Sequence, residues 1–262
     1  MRGVIVSNNL RSIKMILFPL LVILLISCVQ TTYPKSKKVD EQKSLESYIS
    51  LGMAYLDRND RDSSRRNFER ALDIDGGSHE AHNGMGLLYE LNGEIALAEK
   101  SFKRSLSENR GFTQARVNYG VFLYGEQRYQ EAYDNFELAS KDLKYDRRGL
   151  ALAYVGQAAQ KLNNGVRAKS AFEHSVNIDN QLSLPIIELA QISFAEKNYA
   201  AAKNYLDQYA RIEGQSPKSL WLGIRIERIF GNKDKESSYA LALRNLHPYS
   251  KEYLEYKKLR DQ

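Results

Sequence analysis

Apolar and small residues recur along the chain at the three- and four-residue spacing of a helix face, in paired short runs parted by a polar turn. The stretch from Gln114 to Ala139, QARVNYGVFLYGEQRYQEAYDNFELA, shows the unit most clearly. Gly120 stands where a first helix would cross a second, Ala132 faces it, and Tyr119 and Phe136 fill the space around the crossing. The same pattern returns at a period of about 34 residues. Residues 45–78, 79–112 and 113–146 follow one another without an insertion; after Arg147 and Arg148 come 149–182, 183–216 and 217–250. Residues 251–262 read as a last polar helix, with Tyr253, Leu254 and Tyr256 covering the open end. The pattern predicts an all-α chain of about six helical hairpins with a C-terminal capping helix.

That period and its small residues resemble the tetratricopeptide repeat, so the expected architecture is a tetratricopeptide-repeat superhelix over 45–262. The spacing has a physical cause. Helices cross closely only where a small residue lies at the contact, and Gly52, Gly86 and Gly120 accept a propensity cost of about 1 kcal/mol each for that closeness. Large apolar residues three and four positions away then seal the interface. Each hairpin still exposes an apolar face, which the next one covers. Gly156 continues the series, Ala190 replaces it in the fifth repeat, and Ser193 takes the place of an aromatic. In the sixth, Gly223 comes one residue early and Glu236 holds the usual alanine site, which predicts a more open hairpin.

The N-terminal end follows another pattern. Residues 15–27, MILFPLLVILLIS, form an apolar run short for a membrane span. Arg2, Arg11 and Lys14 precede it, and no acid appears before Asp40. This is the layout of a signal peptide over 1–27. The run closes on Leu25-Ile26-Ser27-Cys28, which resembles the lipobox of bacterial lipoproteins; the resemblance implies lipidation at Cys28. Val29, rather than aspartate, follows it, and by the same resemblance favours the outer membrane, on its periplasmic side. Several acyl chains would anchor firmly where one binds only marginally. Residues 28–44 are expected to form a tether. Its lysines, Lys35, Lys37 and Lys38, suit either anionic headgroups or open solvent.

Removing the three basic residues of the signal peptide from the formal net charge of +6 leaves +3. So mild a balance, with no basic block on a nucleic-acid fold, gives no reason to expect nucleic-acid binding. Cys28 is the one cysteine, so no intrachain disulfide is available and packing alone must hold the fold. His79 and His82 lie three apart but lack a third ligand of suitable spacing, so no metal site is expected. Neither a nucleophile elbow nor a phosphate-binding glycine loop occurs, so no cofactor and no enzymatic activity are expected.

The expected working surface is the concave one, lined by the first helix of each repeat. Its fifth position supplies Ile49, Val117, Ile187 and Trp221; its ninth, Met53 and Val121; its twelfth, Tyr124 and Phe194. A face so apolar predicts a groove for an extended, apolar segment of a partner, although some of these side chains could instead support neighbouring helices. Some repeat proteins of this class grip a terminal carboxylate with lysines and asparagines. Here only Asn118 holds an asparagine at the sixth position, beside Ser50, Gly84, Tyr154, Glu188 and Leu222, so that clamp is not expected.

Particular strings carry a closer resemblance. Asn118-Tyr119-Gly120 with Phe122-Leu123-Tyr124, then Arg128-Tyr129-Gln130-Glu131-Ala132, resembles the signature segment of the type IV pilus biogenesis lipoproteins called PilF or PilW. Ser219-Leu220-Trp221-Leu222-Gly223-Ile224-Arg225, Ser238-Tyr239, Tyr249-Ser250 and Glu252-Tyr253 are similar to their C-terminal repeats. The resemblance implies a pilotin: a monomeric, lipid-anchored protein that binds subunits of the pilus secretin and promotes their outer-membrane localisation and multimerisation. The alternative is an outer-membrane repeat lipoprotein serving cell-wall hydrolases or outer-membrane protein assembly.

Overall fold

Where the sequence sets a glycine at a helix crossing, the structure sets a phenylalanine ring against it. A Cβ on Gly120 would lie 2.5 Å from Cε1 of Phe136, well inside van der Waals contact. Gly52, Gly86 and Gly156 face Phe68, Phe102 and Phe172 in the same way, at 2.4 to 2.7 Å. All four rings are fully buried, each contributing on the order of 1.5–3 kcal/mol by leaving water. In every case the ring comes sixteen residues after the glycine, so one spacing fixes the crossing of each hairpin.

The computed structural model describes residues 37–260. Among them are thirteen α-helices and no strand: α1 (Lys37–Asp57), α2 (Arg61–Ile74), α3 (His79–Leu91), α4 (Ile95–Glu108), α5 (Thr113–Gly125), α6 (Tyr129–Ser140), α7 (Arg148–Lys161), α8 (Gly165–Ile178), α9 (Ser183–Ala195), α10 (Tyr199–Ile212), α11 (Pro217–Ile229), α12 (Lys233–Leu246) and α13 (Lys251–Arg260). The expected signal peptide over 1–27 and the expected lipidation site Cys28 lie outside the described residues. Helix α1 begins at Lys37, inside the stretch expected to be a tether. From Leu45 onward the hairpins form one compact unit, with the paired-helix packing of a tetratricopeptide-repeat superhelix.

Each hairpin turns through a left-handed residue at one position: Asn59, Gly93, Gln127, Asn163, Lys197 and Gly231, with φ between 58° and 74°. The next amide then reaches back to the first helix, as Arg128 N does to Leu123 O at 2.9 Å, satisfying a carbonyl the helix end leaves open. Several second helices start on a side-chain cap; Asn164, Asn198 and Asn232 accept from Arg167, Ala201 and Lys235 amides. Helix α11 starts on a capping box between Ser216 and Ser219, with Pro217 at its first position.

The two-residue insertion lengthens the loop after α6, which is pinned at both ends. Thr113 Oγ1 donates to Asp142 at 2.5 Å, and Arg148 Nε donates to the Ser140 carbonyl at 2.8 Å. Helices α6 and α7 pack against each other on either side of this loop. The sixth hairpin is slightly looser than the first four: a Cβ on Gly223 would lie 2.9 Å from Tyr239, against 2.4 to 2.7 Å at the other glycine crossings. Gly223 faces Tyr239, again sixteen residues on, so glycine and ring shift together and the crossing survives. Glu236 points outward to Arg228, 2.7 Å away. Helix α13 then packs on α11 and α12 and brings Tyr253 and Tyr256 beside Trp221.

Candidate functional site

The first helices form the inner wall of the stack: α3 touches α5, α7 touches α9 and α9 touches α11, whereas no two described second helices pack as closely. Along that wall the eight residues expected to bind a partner occupy different situations. Ile49 and Met53 on α1 are half-buried against the Leu45–Ala71–Ala81 and Phe68–Met85–Leu88 clusters. Val117 and Ile187 are buried in the core, so the fold already occupies their side chains. Val121 is open, at 39 % exposure. Tyr124 is half-buried and meets Tyr129 edge-on, 5.2 Å between ring centres.

Phe194 and Trp221 are brought together. They line a groove of about 310 Å³ between α9, α11 and α13, completed by Gln191, Lys218, Arg225, Lys251, Glu252 and Glu255. Trp221 sits at its base, 9 % exposed and edge-on to Tyr256. Phe194 packs edge-on to Tyr199, and the Arg225 guanidinium lies 4.1 Å above the Phe194 ring and 5.8 Å from that of Trp221. Burial makes this guanidinium less basic than a free arginine, a loss only partly offset by Glu255. It stays charged at any relevant pH.

Lys218 and Glu188 set the polar edge of this region. Glu188 is buried, and accepts from Lys218 Nζ at 2.5 Å and from Gln160 Nε2 at 3.0 Å. Those bonds compensate a carboxylate that would otherwise be costly to bury. Further along, Asn118 donates to Asn83 at 3.0 Å and receives from Gln114 at 2.9 Å. The one sixth-position asparagine thus ties neighbouring helices together, and its amide is already occupied. Glu90 is the electrostatic opposite of Arg225: burial, and then the nearby Glu126, push its carboxyl above the usual range.

Two roomier grooves lie elsewhere, about 520 Å³ over Leu72, Met85, Tyr89 and Leu97, and about 610 Å³ over Val166, Ile192 and Ala195. They gather none of the eight expected residues. His79 and His82 serve loops: His79 stands edge-on to Phe112, and His82 Nε2 meets the Gly76 carbonyl at 3.0 Å. Among the described residues no three histidine, cysteine, aspartate or glutamate side chains gather as a metal set.

The tetratricopeptide-repeat family matches residues 45–77. The type IV pilus assembly protein PilF of Pseudomonas aeruginosa is 31 % identical over 239 residues, covering 90 % of this chain and 95 % of the relative. The chain belongs to the PilF family. The solved structure of Pseudomonas aeruginosa PilF superposes with a TM-score of 0.81, over 84 % of this chain and 99 % of that one. PilW, described as a widely conserved type IV pilus biogenesis factor, superposes at 0.70 with 25 % identity, over 81 % and 97 %. Both cover nearly all of their own length, so the PilF-family frame includes the hairpins that carry the aromatic groove.

Sequence reasoning missed Arg225, Lys218 and Glu188. The first was within reach, since Arg225 is the ninth residue of the sixth repeat, a position counted to the inner wall, and Lys218 lies one helical turn and more before it on the same helix. The third was not: nothing in the chain's order shows that Glu188 would be held by Lys218 and Gln160 from adjacent repeats.

Proposed function

We propose that this PilF-family protein is a pilotin, which binds subunits of the type IV pilus secretin and promotes their outer-membrane localisation and multimerisation. The observation that carries this reading is the groove at Phe194 and Trp221 on a rigid stack of PilF-like hairpins. It offers an aromatic floor, an uncovered cation and an open run along the inner wall, which suits an extended segment better than a folded surface. Lipid at Cys28 supplies the address, on the periplasmic face of the outer membrane, and the segment expected as a tether supplies reach. The hairpins supply grip. No bond is made or broken in this role, so affinity and placement are all the fold must provide.

The test is the level of heat-resistant secretin multimers in outer-membrane fractions from wild type, a deletion strain and a Cys28→Ala strain. Loss on deletion, and reduced or misplaced multimers in Cys28→Ala, are the expected results. Unchanged multimers in all three would overturn the assignment.

A further inference from the structure

Arg225 differs from the other well-placed cations of the repeats. Lys103, Arg128, Arg167, Lys169, Lys203 and Lys218 each contact a carboxylate. Arg225 lies over two aromatic rings instead, half-buried, with no hydrogen bond or ion pair among the described residues. Its acidic neighbour Glu255 is turned to Lys251 at 3.7 Å, and Glu188 is taken by Lys218 and Gln160. A guanidinium over an aromatic face spends none of its N–H groups on that contact, and they retain the fork geometry that matches a carboxylate. Partial burial removes water that would otherwise satisfy those donors and makes an incoming anion worth more. Beside it, Phe194 and Trp221 line the same groove.

We propose that Arg225 is the specificity-determining residue of the inner groove: it takes the side-chain carboxylate of an Asp or Glu in an extended secretin segment that lies in the groove beside Phe194 and Trp221. The inference rests on the pilotin reading and deepens it. Charge complementarity chooses the occupant, because a purely apolar segment would leave the guanidinium buried without a partner and lose affinity. The groove is lined from α9, α11 and α13, and the anion it takes is a side chain of the segment laid across them. This gives anion recognition to a repeat protein whose one sixth-position asparagine, Asn118, is already taken, with the cation supplied from the ninth position instead.

The experiment uses the full chain solubilised in detergent, with synthetic peptides tiling the secretin subunit as probes. The best-binding peptide is remade with each Asp or Glu changed to Asn or Gln, and both forms are titrated against wild type, Arg225→Gln and Phe194→Ala. Trp221 fluorescence and helical circular dichroism check that each variant is folded. One acidic position is expected at which the amide peptide and Arg225→Gln each lose about tenfold to a hundredfold in affinity, with no further loss when combined. Added salt should weaken wild type and leave Arg225→Gln almost unaffected. A peptide lost by Phe194→Ala but bound equally by Arg225→Gln overturns this inference and spares the pilotin reading. So does binding that requires the peptide's free C-terminus. Absence of binding by any peptide or by the intact secretin subunit overturns both.

Discussion

The first four hairpins and the last two solve the same packing problem with different side chains. In the first four, glycine meets phenylalanine at every crossing, and the ring is wholly enclosed. In the fifth, Ala190 and Leu206 share a core without either partner, and in the sixth Gly223 meets a half-buried Tyr239. Aromatic bulk has moved to the inner wall there, as Phe194 and Trp221, with a cation laid across it. The contrast separates two uses of a ring. Enclosed by a glycine it stabilises a crossing; set on the inner wall it forms a surface.

Removing a ring from each region gives the sharpest contrast. Phe136→Ala is expected to cost about 3–5 kcal/mol, because the cavity lies between two close helices that cannot collapse. Phe194→Ala is expected to cost about 1 kcal/mol in stability, since its ring is partly open already, while partner capture falls steeply. Chemical denaturation followed by circular dichroism checks the first quantity in both variants. Equal losses would erase the distinction.

Filling the crossing is the converse experiment. Gly120→Ala forces a methyl against Phe136 and is expected to cost about 1–3 kcal/mol despite alanine's better helix propensity. Gly165→Ala, where nothing lies within 4 Å, should cost nothing. Thermal melts of the two variants decide whether close approach or helix propensity governs these glycines.

A smaller effect tests the ion pairs that tie the regular hairpins together. Glu99 is held down to about 2, foremost by the Lys103 ammonium and then by Arg128 and the Tyr119 hydroxyl, against the pull of burial. Its carboxyl is thus more acidic folded than unfolded, where it titrates near 4.5. The added stability is full above that value and is lost as pH falls toward 2. After solvent screening it amounts to about 1 kcal/mol. Wild type should exceed Glu99→Gln in stability at pH 6, and the two should converge near pH 2. The smallest effect concerns the turns, which both regions share. Gln127→Gly and Lys197→Gly each relieve a left-handed backbone and should gain about 0.5–1 kcal/mol alike. Unequal gains in thermal melts would show that the turns, too, differ between the regions.

The helical hairpins are legible because close crossings demand small residues at fixed intervals, and Gly52, Gly86, Gly120 and Gly156 announce them in the bare sequence. In the sixth, Gly223 and Tyr239 both come one residue early and so keep the sixteen-residue interval from glycine to ring. The inner wall is legible only in outline. Val117 and Val121 both belong to it by counting, yet one is enclosed and the other open, a difference that position in the repeat does not encode. Arg225 is hidden for a further reason: a sequence shows a cation but not whether another residue neutralises it.

If the inner groove of the last two repeats grips the secretin subunit, opening that groove must release it. The most direct measurement is the amount of intact secretin subunit retained by the immobilised full chain, comparing wild type, Phe194→Ala and Leu97→Ala, the last in a groove apart from the inner one. Retention should fall at least about tenfold in Phe194→Ala and stay nearly unchanged in Leu97→Ala. Full retention by Phe194→Ala with loss in Leu97→Ala would contradict an inner-groove grip and move it to the groove over Met85 and Tyr89.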